Sequence, residues 1–523
     1  MKQSMRFGPK LIAVLVGVAL LVSAAEAKVH ESDVVIYAAT PAGIAAGAAA
    51  AREGLSVIII DQDQHIGGMM SSGLGASDRC DHGLIGGISK SVFNRIGRHY
   101  GMALTWHFEP HVAENVFEQI IKESGITVIR QEVLSDVKKE GNVVKSITTD
   151  SGDVFQAKVF LDASYEGDLY AAAGVSYAVG REPGSQYSEQ FAGVQPYVAN
   201  RQFPIAVPAK DKSGRIYHRV NPKRPAEFGS GDKKIMAYNY RLCMTKEREN
   251  FVPISKPKNY RAEDFELFLA FLQRRPHTLL KELFHFFPLK NKKFDVNNRI
   301  AFSTDFVGAN WDYPEANADE RSKIAWAHRD YTQGLFYFLG NDERVPPLLR
   351  KNTALIGLCK DEFADNDNWP YELYVREARR MVGEYVLTEK DLLHEASKPD
   401  SVARASCPLE SHHVDIHMDE NGNAMFEGWV GKKVKTYEIP YRSLLPKRSE
   451  AANLLVPVAI SASHVAYSSL RMEPTYMMLG EGAGIAAALS LKHNVALHDL
   501  DYQLLLKKLN EAKLIVHSRS RPH

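Results

Sequence analysis

Asp33-Val34-Val35-Ile36-Tyr37-Ala38-Ala39-Thr40-Pro41-Ala42-Gly43 opens the stretch that decides the fold, and Ser56-Val57-Ile58-Ile59-Ile60-Asp61 closes it. Residues 33–37 are an apolar run of the length expected for a buried parallel strand. Thr40 suits a helix N-cap, and Pro41 suits the first helical position. Residues 42–53 are almost all alanine and glycine, and Gly54 ends the helix. Residues 56–60 form a second apolar strand, closed by Asp61. Strand, tight turn, helix, strand and acid within about 30 residues is the layout of a dinucleotide-binding unit.

The physical logic is that the turn brings backbone amides and a helix N-terminus to a pyrophosphate. Gly43 and Gly47 would let the helix lie close on the sheet, and Asp61 would accept bonds from ribose hydroxyls. The glycine fingerprint is thin: residues 38–43 read Ala-Ala-Thr-Pro-Ala-Gly, with only the third glycine present. Directly after the acid come His65-Ile66-Gly67-Gly68-Met69-Met70 and Ser71-Ser72-Gly73-Leu74-Gly75. Such a stretch suits a chain running flat along a large cofactor, whereas an NAD-binding unit usually enters a helix soon after the acid.

Farther on, residues 158–168 read as a buried strand and an acidic turn. A helix over 111–123 and strands over 127–130 and 143–149 lie between. Residues 181–440 are richer in aromatics, Asn, Pro and charge, and read as a separate substrate or cap domain. Arg376, Arg379 and Arg380 are predicted on a helix face. Residues 453–458 are strand-like, and 480–489 read as the small-residue start of a helix. The domains are thus 28–180 and 441–523 for the nucleotide unit, with 181–440 inserted.

The 523 residues are 45% hydrophobic and 24% charged, which excludes collagen-like, disordered and coiled-coil classes. With 64 Lys plus Arg against 63 Asp plus Glu, there is no nucleic-acid footprint. Residues 1–27 read as a secretory signal: Lys2, Arg6 and Lys10, an apolar run over 11–22, and Ala25-Glu26-Ala27. Cleavage would leave a secreted or periplasmic protein of 496 residues with no membrane partner. Cys80, Cys243, Cys359 and Cys407 match no metal pattern and are expected as isolated buried thiols, with pairing left open.

These residues resemble a known family, the FAD-dependent oxidoreductases of the glutathione-reductase-like flavoproteins. More narrowly they resemble a secreted branch from polysaccharide-degrading bacteria whose members are sometimes labelled xanthan lyases. The matching runs are residues 40–46, 65–75, 162–168, 238–241, 303–305, 369–370, 373–380, 411–413 and 461–484. Ala38 and Glu481 depart from the pattern. The resemblance implies an α/β fold, a Rossmann-like FAD-binding domain with a large inserted α+β cap. It implies FAD held by Thr40, Pro41, Ala42, Gly43, Asp61, Gly67, Gly68, Met69, Gly73, Val133 and Asp162. Gly480, Gly482, Ala483 and Gly484 would return to the flavin, with a helix starting at Gly482.

Oxidation of an alcohol or amine by flavin needs a base near the carbon that loses hydride. His464 precedes the returning segment and is the first candidate; His412 and His413 form a second pair. Arg471 could hold a carboxylate, Glu473 flanks it, and Tyr476 adds a donor. Tyr238, Asn239, Asp305 and Arg376 are candidate substrate groups, and their polar–aromatic mix suits sugars. The expected partners are a small-molecule substrate and an unidentified electron acceptor; no metal site is expected. The alternatives are an NAD(P)-dependent dehydrogenase, a non-redox lyase keeping flavin as structure, and a glycan-binding protein.

Overall fold

The computed structural model describes residues 27–77, 80–394 and 397–517. All of the expected export signal but its last residue lies outside the described residues.

The deciding stretch folds as β1 (Val29–Tyr37), α1 (Pro41–Arg52) and β2 (Val57–Ile60). β1 and β2 pair in parallel, from Val34 opposite Val57 to Tyr37 opposite Ile60. Both runs are apolar at successive positions because both sheet faces are covered. After α2 (Pro110–Ser124) the chain adds β3 (Thr127–Ile129), β4 (Leu134–Glu140), β5 (Val143–Thr149) and β6 (Val154–Asp162). The sheet order is β3-β2-β1-β6-β5-β4. β6 runs parallel to β1, while β5 and β4 form an antiparallel flank.

The insertion builds its own antiparallel sheet from β7 (Leu242–Thr245), β8 (Phe251–Val252), β9 (Phe284–Pro288), β10 (Lys293–Asn298) and β11 (Gly357–Cys359), in the order β9-β10-β7-β11-β8. Its long helix, α3 (Ala318–Asn341), starts with a capping box: Asn317 accepts the Glu320 amide and Glu320 reaches back to the Asn317 amide. The chain then returns to the first domain. β12 (Leu454–Leu455) pairs in parallel with β6, and α4 (His464–Leu470) and α5 (Glu473–His493) follow.

Three expectations are corrected. The returning helix starts at Glu473, with Pro474 in its first turn, not at Gly482. Residues 371–379 are not helical; the chain there is extended and bridges Tyr374 to Asn239. Its arginines point to different buried acids, Arg376 to Asp305 and Arg380 to Glu182, and those pairs override helix propensity. The cysteines are not all isolated: Cys80 and Cys407 form a disulfide, while Cys243 and Cys359 are buried free thiols. Among the described residues, no helix is long and apolar enough to cross a membrane.

Candidate functional site

Ala38 leaves β1 with φ at +78°, in the left-handed region glycine usually fills. Its carbonyl oxygen then faces Gly43, where a Cβ would lie 2.1 Å away, so only glycine fits. The Ala38 amide donates to the Ile60 carbonyl at 2.8 Å. The Ala39 amide donates to Asp61 Oδ2, and the Asp63 amide donates to Asp61 Oδ1 at 2.7 Å. Thr40 Oγ1 accepts the Gly43 amide at 3.2 Å and donates to the Ala163 carbonyl at 2.8 Å, tying the α1 N-terminus to the end of β6. The Thr40 and Ala42 amides have no partner among the described residues.

This turn opens onto a cleft of about 740 Å³ between the nucleotide domain and the insertion. Ala38, Thr40, Asp61, Gly68 and Val133 line it from one side, and α3 lines it from the other. Burial, reinforced by the Asp63 charge, pushes the Asp61 carboxyl up to about 7. Burial likewise pushes Glu166, also in the lining, up to about 7 against the pull of Arg321. Burial and the charges of Asp63 and Asp61 raise Glu372 as well.

The expected chemistry residues do not line this cleft; they are buried, in separate hydrogen-bonded clusters. Tyr240 and Leu373 line the cleft, and Asn239 and Tyr374, next to them in sequence, are buried and outside its lining. His412 Nδ1 lies 2.7 Å from Asp305 Oδ2, and Arg376 donates to Asp305 Oδ1 at 2.9 Å. Burial, with Arg376 nearby, lowers His412 to about 3, so its ring is neutral at working pH. Against burial, Arg376 and His412 hold Asp305 down at about 2. The Tyr374 ring lies 4.8 Å from the Arg376 guanidinium, and its hydroxyl accepts from Arg471 at 3.2 Å. His413 packs between Phe426 and Trp429, and burial lowers it to about 4.

His464 sits in a separate buried cluster of paired charges. Its Nδ1 lies 2.9 Å from Glu377 Oε2, and its amide donates to Glu182 Oε2 at 3.0 Å. Arg380 donates to both of these glutamates. The Tyr238 hydroxyl donates to the Glu377 carbonyl, so this expected substrate group joins the His464 cluster. Asn239 donates to Asn297 at 3.0 Å and to Thr304 at 3.2 Å. Glu473 accepts from the Tyr165 hydroxyl at 2.6 Å, and Tyr476 donates to the Tyr467 hydroxyl at 2.8 Å.

Of the expected cofactor residues, Thr40, Asp61, Gly68 and Val133 line the cleft, and Gly43 shapes its turn. Pro41 and Ala42 begin α1. Asp162 is fully buried, accepting the Ser164 and Tyr170 amides, and so fixes the turn after β6. Gly67 packs on Phe117, Met69 donates its amide to Tyr165, and Gly73 lies against the Arg241 carbonyl. Gly480 and Gly484 meet the Ala42 and Ala46 carbonyls of α1; Gly482 and Ala483 are buried in the same helix. None of these four lines the cleft. Glu481 is also buried, held by Arg52 and the Ile88 amide.

Sequence reasoning missed Arg321, Trp326, Arg329 and Glu372 in the lining. The available signal was the helical spacing of residues 318, 321, 322, 325, 326 and 329, behind the Asn317 cap. Glu109, His111 and Glu362 converge as metal ligands would, but the Lys293 ammonium fills the cation's position, 2.7 Å from Glu109 and 2.6 Å from Glu362.

The family described as FAD dependent oxidoreductase matches residues 33–509. No curated protein matches the chain. Among solved structures, it is 20% identical to a flavin-dependent brominase, covering 29% of this chain and 42% of that one at a TM-score of 0.23. It is 16% identical to a bacillithiol disulfide reductase from Staphylococcus aureus, covering 30% and 43% at 0.21. For an L-amino acid deaminase from Proteus vulgaris the values are 15%, 30%, 53% and 0.24. The chain thus spans about half or less of the length of these structures, and likenesses this low carry no weight below.

Proposed function

The chain belongs to the FAD-dependent oxidoreductase family, and from that premise we propose that it oxidises a small hydroxyl-bearing substrate of the carbohydrate class, outside the cytoplasm, by hydride transfer to flavin. FAD fits the cleft: unpartnered Thr40 and Ala42 amides at the α1 N-terminus suit a diphosphate, and Asp61 at the end of β2 suits a ribose. Bound there, FAD supplies the hydride acceptor, and a separate electron acceptor completes the cycle.

One observation carries the substrate class. Asn239 Oδ1, Asn310 Oδ1 and His413 Nε2 are buried without a partner among the described residues. Buried polar atoms are nearly always bonded, so these unpartnered ones favour a ligand rich in hydroxyls. The proton released from such a hydroxyl needs an acceptor oriented by a second group. His464, held by Glu377, is that acceptor in this reading; His412, held by Asp305, is the runner-up. The Cys80–Cys407 disulfide supports an oxidising compartment, as does the signal-like N-terminus.

The test is single-turnover reduction of FAD-loaded protein under anaerobic conditions. His464→Ala should retain FAD and be reduced about 10²–10⁴-fold more slowly. A reduction rate equal to wild type, with only a lower melting temperature, assigns His464 a structural role and shifts the proton to His412.

A further inference from the structure

One face of the N-terminal half of α3, in the inserted domain, lies on the cleft. Ala318, Arg321, Ser322, Ala325, Trp326 and Arg329 recur at helical spacing over three turns, and all of them line it. The opposite wall holds the α1 N-terminus and Asp61. The cleft therefore has a second wall that a dinucleotide-binding unit alone does not provide.

The charges on this wall are uneven. The basic side chains lining the cleft are Arg321, Arg329 and Arg379. Arg321 is committed to Asp168 through two hydrogen bonds, 2.7 and 2.9 Å, and Arg379 donates to the same carboxylate at 2.7 Å. Arg329 differs. Its acid partner is Asp367, 3.1 Å away, whose side chain is 85% exposed. A surface partner of this kind contributes little and is readily exchanged. The Arg329 guanidinium also lies 4.9 Å from the Trp326 ring centre and 5.4 Å from that of Trp369, so aromatic faces hold it in place.

A second observation points to a ligand. Trp369 lines the cleft, is 2% exposed, and keeps its buried indole N–H without a partner among the described residues. Trp326, by contrast, is 56% exposed, an unusual position for a tryptophan with no ligand to cover it.

We propose that the inserted domain completes the FAD site, with Arg329 pairing with the cofactor's diphosphate across the cleft from the α1 N-terminus and Trp326 covering it from the solvent side. The proposal rests on FAD occupying this cleft. A guanidinium matches two phosphate oxygens at once, and a diphosphate brings negative charge into a cleft whose other arginines are already committed to Asp168. It follows that FAD is held by both domains, and that its release requires the two walls to part.

The test is FAD dissociation from loaded protein, followed as flavin fluorescence on dilution, at low and high salt. Arg329→Gln should release FAD at least about tenfold faster, with a weaker salt dependence than wild type. Trp326→Ala should also speed release but keep the wild-type salt dependence. Both variants are compared at equal folded fraction, because the Arg329 side chain is only 14% exposed and packs on Trp326 and Trp369. Arg329→Lys tests the bidentate contact and should fall between Gln and wild type. Wild-type dissociation and salt dependence in Arg329→Gln overturn this proposal alone. Wild-type protein that takes up no FAD overturns the cofactor placement, and this proposal with it.

Discussion

Gly480 of α5 lies so close to Ala42 of α1 that a Cβ on Gly480 would sit 2.2 Å from the Ala42 carbonyl oxygen. One turn later Gly484 repeats the contact, 2.2 Å from the Ala46 carbonyl oxygen. The C-terminal segment is thus fastened to the first helix backbone to backbone. Gly482 between them faces Val402 and Leu509 at 3.6 and 3.7 Å, ordinary contact distances.

A sharp contrast follows. Gly480→Ala forces backbone atoms apart, and overpacking of this kind costs about 1–3 kcal/mol or more. Gly482→Ala places a better helix former where its Cβ makes ordinary van der Waals contact, and should be neutral or stabilise by up to about 1 kcal/mol. Denaturant unfolding of the two variants checks this; equal destabilisation would contradict the helix contact.

The cleft carboxyls set a pH dependence. Asp61 and Glu166 are raised to about 7, so the folded state holds protons there that the unfolded chain has lost. Stability from these groups is full below their unfolded values and is lost as pH rises through about 7. The buried His328 and His413, lowered to about 4, and His412, lowered to about 3, act oppositely: their share is lost as pH falls below about 6.5. Melting temperature of the FAD-free protein should therefore fall from about pH 6.5 to 8, where the raised carboxyls lose their protons and the lowered histidines no longer offset them. A steady rise from pH 6 to 9 would contradict the burial of Asp61 and Glu166.

Thiol counting checks the cysteine assignment. Without reductant, the folded protein should show no reactive thiol, since Cys243 and Cys359 are buried. Unfolding should expose two, and reduction should raise the count to all four cysteines. Four thiols on unfolding without reductant would exclude the Cys80–Cys407 bond.

Ala38 occupies a glycine's conformation at φ +78°. A left-handed L-residue costs about 1–2 kcal/mol, and glycine's extra freedom in the unfolded chain returns about 0.5–1 kcal/mol of that. Ala38→Gly should thus gain several tenths of a kcal/mol. Destabilisation on thermal unfolding would show that the alanine methyl packs usefully.

The first strand, helix and second strand were legible because local signals agree: apolar runs, the Thr40 cap, Pro41 and the terminal Asp61. The role of Gly480 and Gly484 was not. A glycine–alanine run suits both a close cofactor turn and a close helix crossing, and only the partner, more than 400 residues away, decides between them. The run Arg376–Arg380 reads as helical by spacing, yet buried acids on separate elements hold it extended. The pairing of Cys80 with Cys407 spans 327 residues, beyond any local pattern. His464 was chosen by its place before the returning segment and His412 as a cap histidine, but their partners Glu377 and Asp305 come from the inserted domain's long-range packing.

The central claim is tested most directly by the visible absorbance of FAD-loaded protein mixed anaerobically with neutral sugars, sugar acids, amino acids and, separately, dithionite. The account predicts that the flavin band bleaches with a hydroxyl-bearing sugar, at a rate that saturates with sugar concentration. Bleaching by dithionite but by none of the sugars would contradict it.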